Sequence, residues 1–129
     1  MKILAEISVG ELFDKITILN IKTQKIYDSE KLINIKNELN FLNKQASNLN
    51  VKDQDSLRKN IDNLQSINEE LWDIENFKRE CESNKDFGEK FIQLSRDVHF
   101  KNDLRAQIKK EINLLTDSII VEEKEYSKY

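Results

Sequence analysis

Not one of the 129 residues is proline, and only Gly10 and Gly88 are glycine. Proline removes a backbone donor and breaks helix interiors, and glycine weakens them. A chain so poor in both has almost nothing to interrupt a helix. An all-β fold needs turn residues at regular spacing, and they are missing. Charged residues make up 35% of the chain against a usual ~25%, which suits long helices with a broad solvated face. The expected fold is therefore all-α. It is a small bundle of four to five helices with a long helical hairpin, in one domain over residues 1–129.

Apolar spacing orders the helices. Ser8-Val9-Gly10-Glu11 has the Ser-x-x-Glu pattern of a capping box. Leu12, Phe13, Ile16, Leu19, Ile26 and Tyr27 then form one stripe, with Ile18 and Ile21 on another face. A helix apolar on two sides belongs in the middle of its bundle. Asp28-Ser29 starts a second helix, whose Leu32, Ile35, Leu39, Leu42, Ala46 and Leu49 recur in alternating steps of three and four, a coiled-coil-like seam. The polar stretch Asn48 to Ser56 reads as a hairpin loop. A third helix runs from about Ser56 to Cys81, and Ser83 to Asp86 is the next break. A fourth carries Phe87, Phe91, Leu94 and Val98. Near Phe100 to Asn102 it either breaks or continues into a face of Leu104, Ile108, Ile112 and Leu115. The two apolar segments at the termini, residues 2–7 and 117–123, leave open a minor two-stranded ribbon.

Charge and composition exclude several classes. Net charge is −3, with 21 basic and 24 acidic residues intermixed, so no nucleic-acid partner is expected. No apolar run is long enough to cross a bilayer, so no membrane partner is expected either. Cys81 is the single cysteine and His99 the single histidine, which argues against a disulfide, a thiolate zinc site or an imidazole metal site. No metal or cofactor is expected, and a reduced, cytoplasmic setting is.

Three motif groups carry a resemblance. The first is Val9-Gly10-Glu11-Leu12 with Asp14-Lys15-Ile16-Thr17-Ile18-Leu19 and Ile21-Lys22. The second is Glu70-Leu71-Trp72-Asp73-Ile74-Glu75. The third is Asn102-Asp103-Leu104-Arg105-Ala106 with Lys109 and Ile112-Asn113, and Glu122-Glu123-Lys124 with Tyr126 closes the chain. Together they resemble a family of short bacterial proteins of unknown function, nearly end to end. At position 99 the chain has His where the family pattern has an aromatic such as Tyr. The resemblance implies a small helical protein and brings no activity with it.

The same motifs hold the polar residues that helix packing leaves unexplained. On the first helix these are Glu11, Asp14, Lys15, Thr17 and Lys22. Glu11 and Lys15 suit a surface ion pair. If this helix is central, however, its charges cannot all face water, and buried charge must be paired or must bind something. A second set is Asn102, Asp103, Arg105, Lys109 and Asn113. Two cations beside two amides suit a carboxylate or phosphate, and Asn102 at a helix start would add a positive end. The bland alternative is a solvated face with Asn102 as a plain cap. Trp72, the only tryptophan, sits beside the third helix's inner stripe, with Glu75 and Arg79 spaced to pair. The candidate ligand residues are therefore Asp14, Lys15, Lys22, Trp72, Glu75, Asn102, Asp103, Arg105, Lys109 and Asn113. Two function classes follow. One is binding, or turnover, of a small anionic metabolite. The other is an interaction module that forms a homo-oligomer or holds a partner protein through its helical seam.

Overall fold

A computed structural model describes all residues, 1–129. Four helices form: α1 (Val9–Lys25), α2 (Ser29–Ser47), α3 (Gln54–Ser83) and α4 (Glu89–Leu115). Each of the first three starts at a side-chain cap: Ser8 accepts from the Glu11 amide, Asp28 from Lys31 and Asp53 from Ser56. The capping box is only half made, because the Glu11 carboxylate goes to Lys109 instead of back to Ser8. No residue near Phe100 to Asn102 stops a helix, so α4 runs unbroken for 27 residues. Asn102 therefore lies inside α4. It is not a cap, and no positive helix end exists there.

α1 is central and packs against all three other helices. The long hairpin is α3 with α4, while α2 lies along α1 and not along α3. The expected pairing of α2 with α3 across the Asn48–Ser56 stretch is thus corrected. Val51 in that link is buried with Leu12, Phe13, Ile16, Leu57, Leu64 and Ile112, and the half-buried Leu39, Leu42, Ala46 and Leu49 pack on the same cluster. The seam of α2 is consumed within the chain, which leaves Ile33 and Phe41 outside, 60% and 57% exposed.

No strand forms, so the two-stranded ribbon is absent. The termini diverge. Lys2 Nζ sits 5.7 Å from the Phe41 ring, which draws the first segment to α2. Ser118 donates its amide to Asn113 O at 2.9 Å, which starts the last segment along α4.

The inward face of α4 also differs from the apolar reading. Leu104 is 46% exposed, whereas Lys109, Ile112 and Asn113 are buried. Ile112, with Ile108 and Leu115, holds the expected apolar face, but Lys109 and Asn113 share the inward side with it and Leu104 does not reach it. Of 20 buried residues six are polar or charged, Ser8, Asp14, Thr17, Asn68, Lys109 and Asn113, and all but Ser8, the α1 cap, lie where α1 faces α3 or α4.

Candidate functional site

Asp14 is the hub of that meeting point. It projects from the middle of α1 with 1% exposure. Arg105 of α4 grips it through two parallel bonds, Nε to Oδ1 at 2.9 Å and Nη2 to Oδ2 at 2.5 Å. This is the bidentate geometry that a planar guanidinium provides and an ammonium cannot. Asn68 of α3 donates Nδ2 to Asp14 Oδ1 at 3.0 Å and to Thr17 Oγ1 at 2.9 Å. Thr17 in turn donates to Asp14 O at 2.8 Å. Three helices are tied through one carboxylate.

One turn along α4, Lys109 Nζ donates to Glu11 Oε2 at 2.7 Å and Glu122 Oε2 at 3.0 Å, and lies 3.9 Å from Asp14 Oδ2. The C-terminal tail therefore docks on α4, and Lys110 with Glu123 adds a second, exposed tether. Next, Asn113 Oδ1 accepts from the Gly10 amide at 2.6 Å. A side chain at position 10 would not fit, since a Cβ there falls 2.5 Å from Lys109 O and 2.9 Å from Asn113 Oδ1. Gly10 sets how closely α1 and α4 approach.

Electrostatics follow the geometry. Burial pushes the Asp14 carboxyl up, but hydrogen bonds from Arg105 and Asn68 and the charges of Arg105 and Lys109 outweigh it, so the net shift is downward. Burial likewise pulls Lys109 down, and the bonds to Glu11 and Glu122 overcome it and raise the ammonium. The bond to Lys109 lowers Glu122. These shifts favour the charged forms of Asp14, Lys109 and Glu122, and no fully buried side-chain polar atom lacks a partner.

Beside the network, between α1, α3 and α4, an open cleft of about 370 Å³ is lined by Asn68, Trp72, Glu75, Asn76, Arg79 and Arg105 with Ile18, Ile21 and Leu71. Arg105 belongs to both: its Nε and Nη2 edge holds Asp14, while the side chain stays 29% exposed. Its Nη1 reaches only Asn102 Oδ1, at 3.4 Å. Glu75 and Arg79, expected to pair, form no salt bridge. Another cleft, at the link between α2 and α3, is lined by Phe13, Leu49, Val51 and Leu57, with Arg58 as its one charge.

The expected site residues divide accordingly. Asp14, Asn102, Arg105, Lys109 and Asn113 meet in the network, and Trp72 and Glu75 join Arg105 at the cleft. Lys15 is exposed and reaches only Glu11, at 3.8 Å. Lys22 lies in the last turn of α1, two turns beyond Asp14, and makes no ion pair. Asp103 is exposed and accepts from the Tyr129 hydroxyl at 2.7 Å. Asn68 is the residue missed. Its signal is its position: Ile61, Leu64, Asn68 and Leu71 recur at steps of three and four, so one amide interrupts an apolar seam.

Fold and site together define a helical-bundle protein built on a buried carboxylate–guanidinium lock beside an open cleft. The chain belongs to the Family of unknown function (DUF6165), whose model matches residues 1–129. No curated protein and no solved structure matches it.

Proposed function

We propose that this protein binds a small anionic metabolite in the cleft between α1, α3 and α4. The observation that carries the reading is Arg105, oriented by Asp14 from behind while it borders the cleft in front. A guanidinium fixed before the ligand arrives loses little freedom on binding. Arg79 supplies a second cation with no partner of its own, and Trp72 with Leu71 and Ile18 supplies apolar wall. Pockets for small ligands combine such a wall with a few placed polar groups. A thermal-shift screen with carboxylates and phosphates tests this. A bound anion at a hundredfold its Kd adds about 2.7 kcal/mol of stability. The expected result is stabilisation by a subset of carboxylates, lost in Arg79→Gln, an exposed position whose change spares the fold. If no anion raises the melting temperature, the reading fails.

Surface area favours a second reading, association with a second copy. A compact 15.3 kDa protein exposes about 7,100 Å². This chain exposes 9606 Å². The excess, about 2,500 Å², exceeds the roughly 800 Å² per partner of a standard interface. Ile33 and Phe41 on the outer face of α2 are the apolar residues such a copy would cover. Sedimentation equilibrium is expected to find a dimer that Phe41→Glu converts to monomer. A monomer for the unaltered chain at high concentration removes the reading.

A further inference from the structure

One polar group at the cleft is left over by the network. Asn68 is 5% exposed, and both hydrogens of its Nδ2 are committed, one to Asp14 and one to Thr17. A carboxylate only accepts, so the amide nitrogen must face Asp14 and the carbonyl oxygen must face away from it. That Oδ1 accepts no hydrogen bond from the chain. Since every fully buried side-chain polar atom has a partner, Asn68 Oδ1 must reach open space, and the open space Asn68 borders is the cleft. Water meets this acceptor while the cleft is empty, and a ligand that displaces the water must donate in its place or leave the oxygen unmet, so the position selects for a donor. The unpaired Glu75 carboxylate lines the same cleft and makes the same demand. Two guanidinium groups there ask for an anion, and two oxygen acceptors ask for N–H.

Building on the anion-binding reading, we propose that the ligand is an α-amino acid or carries that headgroup, with its carboxylate at Arg105 and Arg79, its ammonium at Asn68 Oδ1 and Glu75, and its side chain against Trp72 and Leu71. Inorganic phosphate fits worse: it satisfies the guanidinium groups but sets acceptor oxygens against Asn68 Oδ1 and Glu75. The cleft volume, about 370 Å³, lies at the small end of ligand pockets and suits a ligand of this size.

Isothermal titration of the full chain at neutral pH tests the headgroup. The probes are L-phenylalanine and L-leucine, their deaminated acids 3-phenylpropionate and 4-methylpentanoate, and phenethylamine. At least one amino acid is expected to bind tenfold or more tighter than its deaminated acid, and phenethylamine is expected to bind weakly. Glu75→Gln, at an exposed position, is expected to remove most of that preference and leave the deaminated acid's own affinity within about twofold. Deaminated acids that bind as tightly as their amino acids overturn the headgroup and leave the anion cleft standing. If neither amino acids nor acids bind, the headgroup falls, and the anion cleft is decided by the screen of carboxylates and phosphates.

Discussion

Replacing Asp14 with alanine is expected to cost about 3–5 kcal/mol of stability, because it leaves the Arg105 guanidinium half-buried without its counter-charge. It also strands Asn68, whose amide then loses its strongest acceptor. For a chain of this size the loss corresponds to a drop in Tm on the order of 10–20 °C. Urea unfolding of the variant measures it. The figure describes breaking the lock, not the net worth of having it. Charges drawn into a protein interior repay their desolvation only partly. The combined change Asp14→Leu, Asn68→Leu, Arg105→Met is therefore expected to recover most of the stability while abolishing ligand binding. That split would assign the lock to positioning Arg105. Acid reaches the broken state without mutation. Because Asp14 is held below its ordinary value of 3.8, its contribution is whole above about pH 4 and is lost as pH falls through the lowered value. Asp14→Asn is expected to flatten the acid limb of the stability profile below that pH.

Gly10→Ala is the second large effect, and its sign runs against the usual rule. Alanine for glycine in a helix normally gains about 0.5–1 kcal/mol. Here the new Cβ meets the Lys109 carbonyl oxygen at 2.5 Å, and that atom is helix backbone and cannot step aside. Overpacking of this kind costs roughly 1–3 kcal/mol. The separation it forces also weakens the bond from the Gly10 amide to Asn113. Position 14 stands one turn from position 10 on the same face of α1, so the Asp14–Arg105 grip loosens with it. Gly88→Ala is the steric control: its nearest neighbour is the flexible Asp86 Oδ1 at 3.4 Å, and its φ of −80° lies outside the left-handed region, so no clash with backbone arises at this cap of α4. Thermal unfolding of the two variants side by side is expected to show a clear loss at position 10 and a smaller one, of about 0.5–1 kcal/mol, at position 88, where alanine is a poor helix cap.

These two positions show what the sequence made legible. Asp14, Arg105, Lys109 and Asn113 stood out because helix packing gave them no reason to exist, and they converge. Ser8 and Asp28 announced their helix starts through side-chain chemistry that acts locally. Neighbour choice was not legible. The Leu32-to-Leu49 seam says that α2 buries one face, but periodicity does not say against which helix. Asn68 was hidden by the same logic: a single amide in an apolar seam looks like noise until Asp14 and Thr17 are placed beside it. On α4 the apolar stripe was right at Ile108, Ile112 and Leu115 and wrong at Leu104, because Arg105 and Lys109 turn toward Asp14 and Glu11 at positions that hydropathy assigns to solvent.

Trp72 is the only tryptophan, and it lines the cleft, so its emission reports directly on whether the cleft is a binding site. Titration of the full chain with 3-phenylpropionate and with L-phenylalanine at neutral pH is the most direct measurement. A saturable change in Trp72 emission, absent from a folded Arg79→Gln variant, is the expected result. Emission that stays unchanged to the solubility limit of both probes, in a protein that remains folded, contradicts the account.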